Sequence, residues 1–274
     1  MKKFFQKIYA CLFQPKKIGL FLGEKLHKSF IQLFIFSLIT IIPVIFVYSF
    51  QTNFTASSYE SLSTWLMEDY SDLDMQITDS SFSGSEGHAY LVNEGIVFLN
   101  PNDEVLELES LEYASYHVIE LDSKNVRVTF LNNIVYEKTY EELGVVDLDF
   151  KKISNADYIE FDKFMVLIDQ AFASYHATWV IENSIVILFD VYLSVVLAAL
   201  ILSFAIKIFA PMKFRFRLKL ALDTQFISLV LILLMFLFNI EFIRYIGILL
   251  SAIYSFIAIF ALISIQIKKE KEEN

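Results

Sequence analysis

The stretch "SIVILFDVYLSVVLAALILSFAI" at residues 184–206 decides the fold. It holds one charged residue, Asp190, among aliphatic and aromatic side chains. About 20 apolar residues in a helix cross the ~30 Å hydrocarbon core of a bilayer at ~1.5 Å per residue. The stretch is therefore long enough for a transmembrane helix.

Three other stretches, at residues 29–49, 221–240 and 245–267, have similar length and composition. The first and last carry no charge, and 221–240 carries only Asp223. The whole chain of 274 residues is 56% hydrophobic and contains 28 Phe, more than a soluble globular chain of this size usually has. One such stretch could be a buried helix of a soluble protein, but four predict an integral membrane protein with one N-terminal and three C-terminal transmembrane helices.

The distribution of Lys and Arg predicts the orientation of these helices. Residues 1–28 carry seven Lys and one Glu, and the loop 207–220 carries five basic residues and no acid. Both segments, and the tail 268–274, are expected in the cytoplasm, with 241–244 as a tight outer turn. The protein is thus predicted to be a multi-pass plasma-membrane protein with its N-terminus and C-terminus cytoplasmic.

The segment 50–183 is predicted to be an extracytoplasmic α+β domain whose last helix leads into the second transmembrane helix. Residues 50–175 hold 24 acidic and six basic residues, a net charge of −18. A capping-box spacing from Ser57 to Glu60 predicts a helix over 58–75, and "TDSSFSGSEG" (78–87) is typical of a loop. From Asp157 the spacing of apolar residues predicts a helix that continues into 184–206.

Short β-branched and aromatic segments between residues 88 and 150 predict a small, mostly antiparallel sheet. Turn sequences such as "NPND" and "DSKN" separate them. The predicted strands are "HAYLV", "GIVFL", "EVLELE", "YHVIEL", "NVRVTFL" and "IVYEKTY".

The leader 1–28 is predicted to contain a basic amphipathic helix, over 3–22, that lies on the inner membrane face. Its lysines, Lys7 among them, would contact lipid headgroups while its aromatic residues enter the lipid. The alternative is an unstructured basic leader. Lipidation at Cys11 is disfavoured because the preceding apolar stretch is short and interrupted. Cys11 is the only cysteine, so no intramolecular disulfide can form.

The predicted cytoplasmic loop 207–220 alternates basic residues with Phe and Leu. Such a segment can lie flat on anionic lipid. The same charges also satisfy the topology rule without any further role. The membrane-surface residues predicted here are Lys213, Arg215, Arg217 and Lys219.

Asp190 is expected to face the helix bundle, because a carboxylate in contact with lipid is costly. Arg244, in the outer turn, is the expected partner, and Ser194 lies one helical turn further on the same face. The pair could simply orient the helices. A proton or solute path, or a protonated Asp190 bonded to a neighbour such as Tyr254, are the alternatives.

Recognised catalytic and metal-binding patterns are missing from the sequence. The four His lack metal-site spacing, one Cys excludes a zinc cluster, and "DLDMQITD" lacks the Gly and final Glu of a calcium loop. No phosphate-binding glycine loop is present. We therefore expect no catalytic residue, no metal and no cofactor. We also expect no nucleic-acid partner, because the basic segments are short and adjoin the membrane.

The layout and three segments resemble one known family. The segments are "VNEGIVFLNPNDEVLELE", "YHVIELDSKN" and "NNIVYEKTYEE", and the leader contains "QPKKIG". They are similar to segments of the MalA-type maltodextrin (maltodextrose) utilization membrane proteins of low-GC Gram-positive bacteria, otherwise a domain of unknown function. The resemblance implies a plasma-membrane protein associated with maltodextrin utilization, and it implies no catalytic residues.

The sequence therefore predicts a non-enzymatic accessory protein that supports maltodextrin uptake by binding a transporter or envelope partner through its outer domain. One alternative is an envelope sensor that transmits a signal through the helix 157–206. A second alternative is a small transporter that uses Asp190. The expected partners are the lipid bilayer and a membrane transporter or envelope protein, and the oligomeric state stays open.

Overall fold

A computed structural model describes residues 2–51, 53–69, 74–84, 87–103, 117–130, 133–240 and 242–273. The chain divides into two compact units. We call Met1–Tyr48 with Ile181–Asn274 the bundle unit, and Ser49–Val180 the sheet unit.

Four helices of the described chain are long and apolar enough to cross a membrane: Leu26–Phe50, Tyr158–Phe209, Phe214–Phe238 and Ile243–Ile265. The strands of the sheet unit, from Gln76 to Asp149, lie between the first and the second of these helices in sequence. A sheet-containing region between one N-terminal and three C-terminal apolar helices is the arrangement that the sequence predicts.

The bundle unit begins with helix α1 (Lys2–Phe13) and a 3₁₀ helix (Pro15–Phe21). Helices α2 (Leu26–Thr40) and α3 (Ile42–Phe50) follow, and they meet next to Pro43. Proline lacks an N–H and its ring crowds the preceding turn, which explains a break in the helix here.

Three long helices carry the rest of the bundle unit: α6 (Tyr158–Phe209), which starts in the sheet unit, α7 (Phe214–Phe238) and α8 (Ile243–Glu273). Helix α7 is central, because 56% of its most apolar window is buried against 22–28% in the other three apolar helices. The predicted loop 207–220 is much shorter than expected, since only residues 210–213 separate α6 from α7.

The sheet unit contains a five-stranded sheet in the order β3-β4-β5-β6-β7. Strands β4 and β5 pair in parallel and the other neighbours pair antiparallel. The predicted strand "EVLELE" lies outside the described residues. The strand bounds are β3 His88–Val92, β4 Gly95–Leu99, β5 Val118–Leu121, β6 Asn125–Phe130 and β7 Asn133–Thr139.

A second, three-stranded sheet has the order β2-β1-β8. Its strands are β1 (Gln76–Thr78), β2 (Ser81–Ser83) and β8 (Leu148–Asp149). The prediction of a loop over 78–87 is therefore wrong for the β2 residues. Asp79 and Ser80 both have positive φ, as a two-residue hairpin turn requires, but strands of three residues are too short to show an alternating pattern.

The helix predicted over 58–75 is shorter in the structure. Helix α4 (Ala56–Thr64) starts at Thr55, whose side-chain oxygen accepts from the Ser58 N–H, rather than at Ser57. A single π-helical turn, Trp65–Asp69, follows it. Residues 74 and 75 are not helical, and residues 70–73 lie outside the described chain.

Helix α5 (Phe150–Ser154) and the first part of α6 complete the core of the sheet unit. Helix α6 starts after Asp157, whose carboxylate accepts from the N–H of Ile159 at 3.0 Å, as an N-cap residue does. The structure buries the whole apolar face predicted for this helix: Phe161, Phe164, Met165, Ile168 and Phe172.

Strand β4 approaches the residue before β5 very closely. The Ile96 N–H donates to the carbonyl of His117 at 2.8 Å. Gly95 has a φ of +155°, and a Cβ there would collide with the same carbonyl oxygen. Only glycine allows this approach without moving the backbone.

The ring of His117 is stacked between Phe130 and Tyr175, at 4.4 and 4.3 Å between centroids. Burial lowers the pKa of His117 from 6.5 to about 4, because charging the ring there would remove it from water. The folded protein therefore keeps His117 neutral at pH values where the unfolded chain protonates it.

We predict that the sheet unit loses stability as the pH falls from 6.5 towards 4. In that pH window the unfolded state binds a proton at His117 and the folded state does not. The free energy of unfolding therefore falls by on the order of 2 kcal/mol. The thermal unfolding midpoint of the full chain in detergent, followed by tryptophan fluorescence, measures this change. Both tryptophans of the chain, Trp65 and Trp179, lie in the sheet unit.

The variant His117→Phe should reduce this pH dependence, because the aromatic stack stays and the titrating group is gone. The matched control is His27→Gln, which changes an exposed histidine of the bundle unit. An unchanged pH dependence in His117→Phe would contradict the prediction.

Candidate functional site: a buried ionic cluster in the bundle unit

Helix α1 directs a lysine side chain into the interior of the bundle unit. Lys7 is fully buried, and its ammonium donates to Ser29 Oγ at 3.1 Å and to Gln32 Oε1 at 2.7 Å. It also lies 2.7 Å from Asp223 Oδ1. The ammonium has three donors, so these three acceptors use all of them. Lys7 was predicted to contact lipid headgroups, and the structure corrects this.

Asp223 is the carboxylate at the centre of the cluster, and it is fully buried on α7. Lys219, one turn earlier on α7, donates to Asp223 Oδ2 at 2.9 Å. Ser29 donates to Asp223 Oδ1 at 2.7 Å and accepts from Lys219 at 3.0 Å as well as from Lys7. The Ser29 hydroxyl therefore uses its one donor and both lone pairs inside the cluster.

Glu24 supplies a second negative charge at the edge of the cluster. Its Oε2 lies 3.5 Å from the Lys7 ammonium and 3.8 Å from the Lys219 ammonium, and it accepts no hydrogen bond. With both carboxylates ionised, two acids balance two lysines. This balance matters because an unpaired charge away from water costs several kcal/mol.

The cluster joins three parts of the bundle unit that are far apart in sequence. Lys7 comes from α1, Ser29 and Gln32 from α2, and Lys219 and Asp223 from α7. A buried ion pair adds little stability over an apolar contact, but it tolerates only one arrangement of its partners. We interpret the cluster, named here the Asp223 lock, as the feature that fixes α1 against α2 and α7.

A row of small polar residues continues from the lock between α7 and α8. Three contacts form it: Thr224 Oγ1 with Ser255 Oγ at 2.8 Å, Gln225 Nε2 with Ser251 Oγ at 3.1 Å, and Ser228 Oγ with the Gly247 carbonyl at 2.9 Å. Small residues let helices approach closely, and hydrogen bonds between helices hold them where apolar burial gives no drive.

The structure brings Asp190 and Arg244 together, with Arg244 Nη2 at 3.2 Å from Asp190 Oδ2. Asp190 nevertheless does not face the bundle as expected, because 59% of its side chain is exposed. The geometry fits a pair that joins the interior of α6 to the first turn of α8.

The other residues expected near Asp190 bond elsewhere. Ser194 Oγ donates to the carbonyl of Val191 on its own helix at 2.9 Å. The Tyr254 hydroxyl donates to the carbonyl of Leu12 at 3.0 Å. Tyr254 therefore bonds to the end of α1 rather than to Asp190.

The four predicted membrane-surface residues separate into two pairs. Lys213 and Arg215 are exposed. The expectation is corrected for Lys219, which is 1% exposed in the Asp223 lock, and for Arg217, which is 7% exposed with its guanidinium near the ring of Phe214. Both lie on the first two turns of α7, where the helix packs on the rest of the bundle unit.

Sequence reasoning did not find the Asp223 lock. One signal was available: Lys219 and Asp223 are four residues apart, which places them on one helix face. Nothing local indicated that Lys7 or Ser29 would join them, because these residues come from other helices.

The described residues contain no group of three or more His, Cys, Asp or Glu side chains that could hold a metal ion. In the lock, the Asp223 carboxylate accepts from Ser29 and Lys219 and lies 2.7 Å from the Lys7 ammonium. These contacts join side chains of three helices, so the cluster is suited to holding the helices together.

No model of a protein family, no curated protein and no solved structure matches the chain. The resemblance to the MalA-type family therefore stays a prediction.

We predict that Asp223→Asn releases α1 and exposes Cys11. Loss of the carboxylate leaves two buried lysines facing a neutral amide, and breaking a buried ion pair costs about 3–5 kcal/mol. Cys11 is fully buried, and burial raises the pKa of its thiol, so the native thiol should react slowly with a maleimide. We expect the labelling rate in native membranes to rise about tenfold or more.

The control is Asp190→Asn, which breaks a partly exposed pair worth about 1 kcal/mol or less and should leave Cys11 protected. A cysteine at the exposed position Gln6, in a Cys11→Ser background, gives the rate of an unprotected thiol on the same helix. If Asp223→Asn labels at the rate of the unaltered chain, the lock does not hold α1.

Proposed function

We propose that this chain is a non-enzymatic, multi-pass plasma-membrane accessory protein whose sheet unit binds a partner outside the cytoplasm. The observation that carries the proposal is a compact, sheet-containing unit whose strands lie in sequence between the first and second of four apolar helices. A strongly acidic unit of this kind can work in water, while the apolar helices can anchor it in lipid.

The charge distribution supports the orientation that we propose. The sheet region is strongly acidic, with −18 over residues 50–175, while seven lysines lie within residues 1–28. Retention of basic segments on the cytoplasmic side then puts both termini inside and the sheet unit outside.

The Asp223 lock has a structural part in this proposal. By fixing the basic leader against α2 and α7, it makes residues 1–28 part of the membrane anchor rather than a free tail. Exposed Lys213 and Arg215 remain available to anionic headgroups at the same side.

The resemblance to MalA-type proteins supplies the process in which we place the protein. We propose that it supports maltodextrin uptake or utilization by binding a transporter or another envelope protein. The transporter alternative has less support, because Asp190 is paired with Arg244 and more than half exposed.

One observation favours the second candidate function, an envelope sensor. Helix α6 runs without interruption from Tyr158 to Phe209, and it contains residues of both units. A signal that alters the sheet unit could pass along this helix to the basic segment at 210–217. A crosslink that changes no cytoplasmic readout when it locks α6 in the sheet unit would remove this candidate.

We predict that a protease added to intact cells cuts the chain within the sheet unit and leaves an epitope tag on the leader intact. A phosphatase reporter fused after Asn274 should be inactive, and a cytoplasmic fluorescent reporter there should be active. Immunoblotting and reporter assays measure this orientation. Protection of the sheet unit in intact cells, with cutting only after lysis, would refute it.

We also predict that deletion of the gene slows growth on maltodextrin and leaves growth on glucose unchanged. Growth rate and uptake of labelled maltodextrin in the same strain measure the effect. The Asp190→Asn variant should restore growth, because a partly exposed ion pair contributes about 1 kcal/mol or less to stability. Equal growth of the deletion strain on both sugars would contradict a role in maltodextrin utilization.

A further inference from the structure

Strand β7 forms one edge of the five-stranded sheet. The opposite edge is β3, where Trp65 stacks on the ring of Tyr90 with 4.8 Å between centroids. Among the described residues, no other strand pairs with the outer side of β7. Two of its apolar side chains, Ile134 and Val135, are 55% and 51% exposed. An open edge with exposed apolar residues is a template for another strand.

The backbone of β7 directs hydrogen-bonding groups outward. Tyr140, just after β7, donates its N–H to the Lys124 carbonyl. The Thr139 N–H points the other way and donates to its neighbour Glu142 at 2.9 Å. Since these directions alternate along an antiparallel strand, the N–H and carbonyl of Glu137 also point away from β6.

A groove of about 500 Å³ runs beside β7 within the sheet unit, with α6 along its far side. Tyr136 and Lys138 line the strand side, and Gln170, Ala173 and Ser174 line the helix side. The Gln170 amide is exposed and makes no hydrogen bond in the described part of the chain. The small side chain of Ala173 leaves room for a backbone, so the groove has the form of a strand site between an edge and a helix.

We propose that an extended, basic segment of a partner protein binds as a sixth strand on β7, in the groove beside α6. The inference rests on the proposed function, since it names the partner chemistry of the sheet unit. Charge selects the occupant: the net charge of −18 over residues 50–175 attracts a cationic segment. The same charge repels a second copy of this acidic unit.

A synthetic octapeptide of alternating lysine and valine tests the site. Its fluorescence anisotropy is measured with the full chain in non-ionic detergent. Glu137→Pro removes the outward N–H and weakens binding about tenfold relative to Glu137→Ala. The alanine variant loses the same carboxylate and its contact with Arg127 but keeps the N–H, so it is the matched control. The tryptophan unfolding midpoint shows whether both variants fold.

A second measurement does not depend on the proline variant. N-methylation of the peptide at alternate residues removes the backbone N–H donors from one of its edges. Of two such peptides, methylated at odd or at even residues, one loses binding to the unaltered chain. Equal affinity of the Glu137→Pro and Glu137→Ala proteins, or equal affinity of both methylated peptides, overturns the strand site. A glutamate–valine peptide that binds as tightly overturns the charge selection. Self-association that Glu137→Pro abolishes assigns the edge to a second copy instead.

The growth assay separates this inference from the proposed function. A deletion strain that grows slowly on maltodextrin and is fully restored by Glu137→Pro keeps the accessory function and rejects β7 as its binding site. Normal growth of the deletion strain rejects the function while the peptide measurements still decide the site.

Discussion

The bundle unit depends on one buried carboxylate, that of Asp223. Two lysines, Lys7 and Lys219, share its two oxygens, and Ser29 joins all three. Each of these charges would be costly alone in an apolar environment, so the arrangement is stable only when all of them are present. The leader helix thereby packs on the bundle unit through the face that carries Lys7, Ala10 and Cys11, while Phe5 and Phe13 are 64% and 68% exposed.

The position of the lock explains why α7 is the central helix. Its second and third turns bring Lys219 and Asp223 to α1 and α2, and its third and fourth turns bring Thr224, Gln225 and Ser228 to α8. Polar contacts of this kind give direction to helix packing, which apolar surfaces in lipid do not. In the remaining apolar helices only 22–28% of the most apolar window is buried, as is expected of helices in contact with lipid.

Close backbone contacts and ring stacking stabilise the sheet unit, whereas ion pairs stabilise the bundle unit. Gly95 allows β4 to approach His117, and the stack of His117 with Tyr175 and Phe130 then ties the sheet to α6. Strand β4 is fully buried at the interior of the sheet, whereas β7 at the edge is exposed along most of its length. The sheet is thus buried in its interior and exposed at one edge, and an exposed edge strand can pair with another strand.

The sequence by itself determined the four apolar helices, the acidic region between the first two, and the five main strands. Hydropathy and strand alternation are properties of a short segment, so they can be predicted without knowing which other segments pack against it. The pairing of Asp190 with Arg244 was accessible for a similar reason, because Asp190 lies near the predicted outer end of the apolar stretch 184–206 and Arg244 lies in the predicted outer turn 241–244. Only the tertiary structure decided which charged residues are buried. A lysine on a flexible stem can reach water, lipid headgroups or a buried carboxylate, and the choice for Lys7 and Lys219 depends on helices that are far apart in the chain.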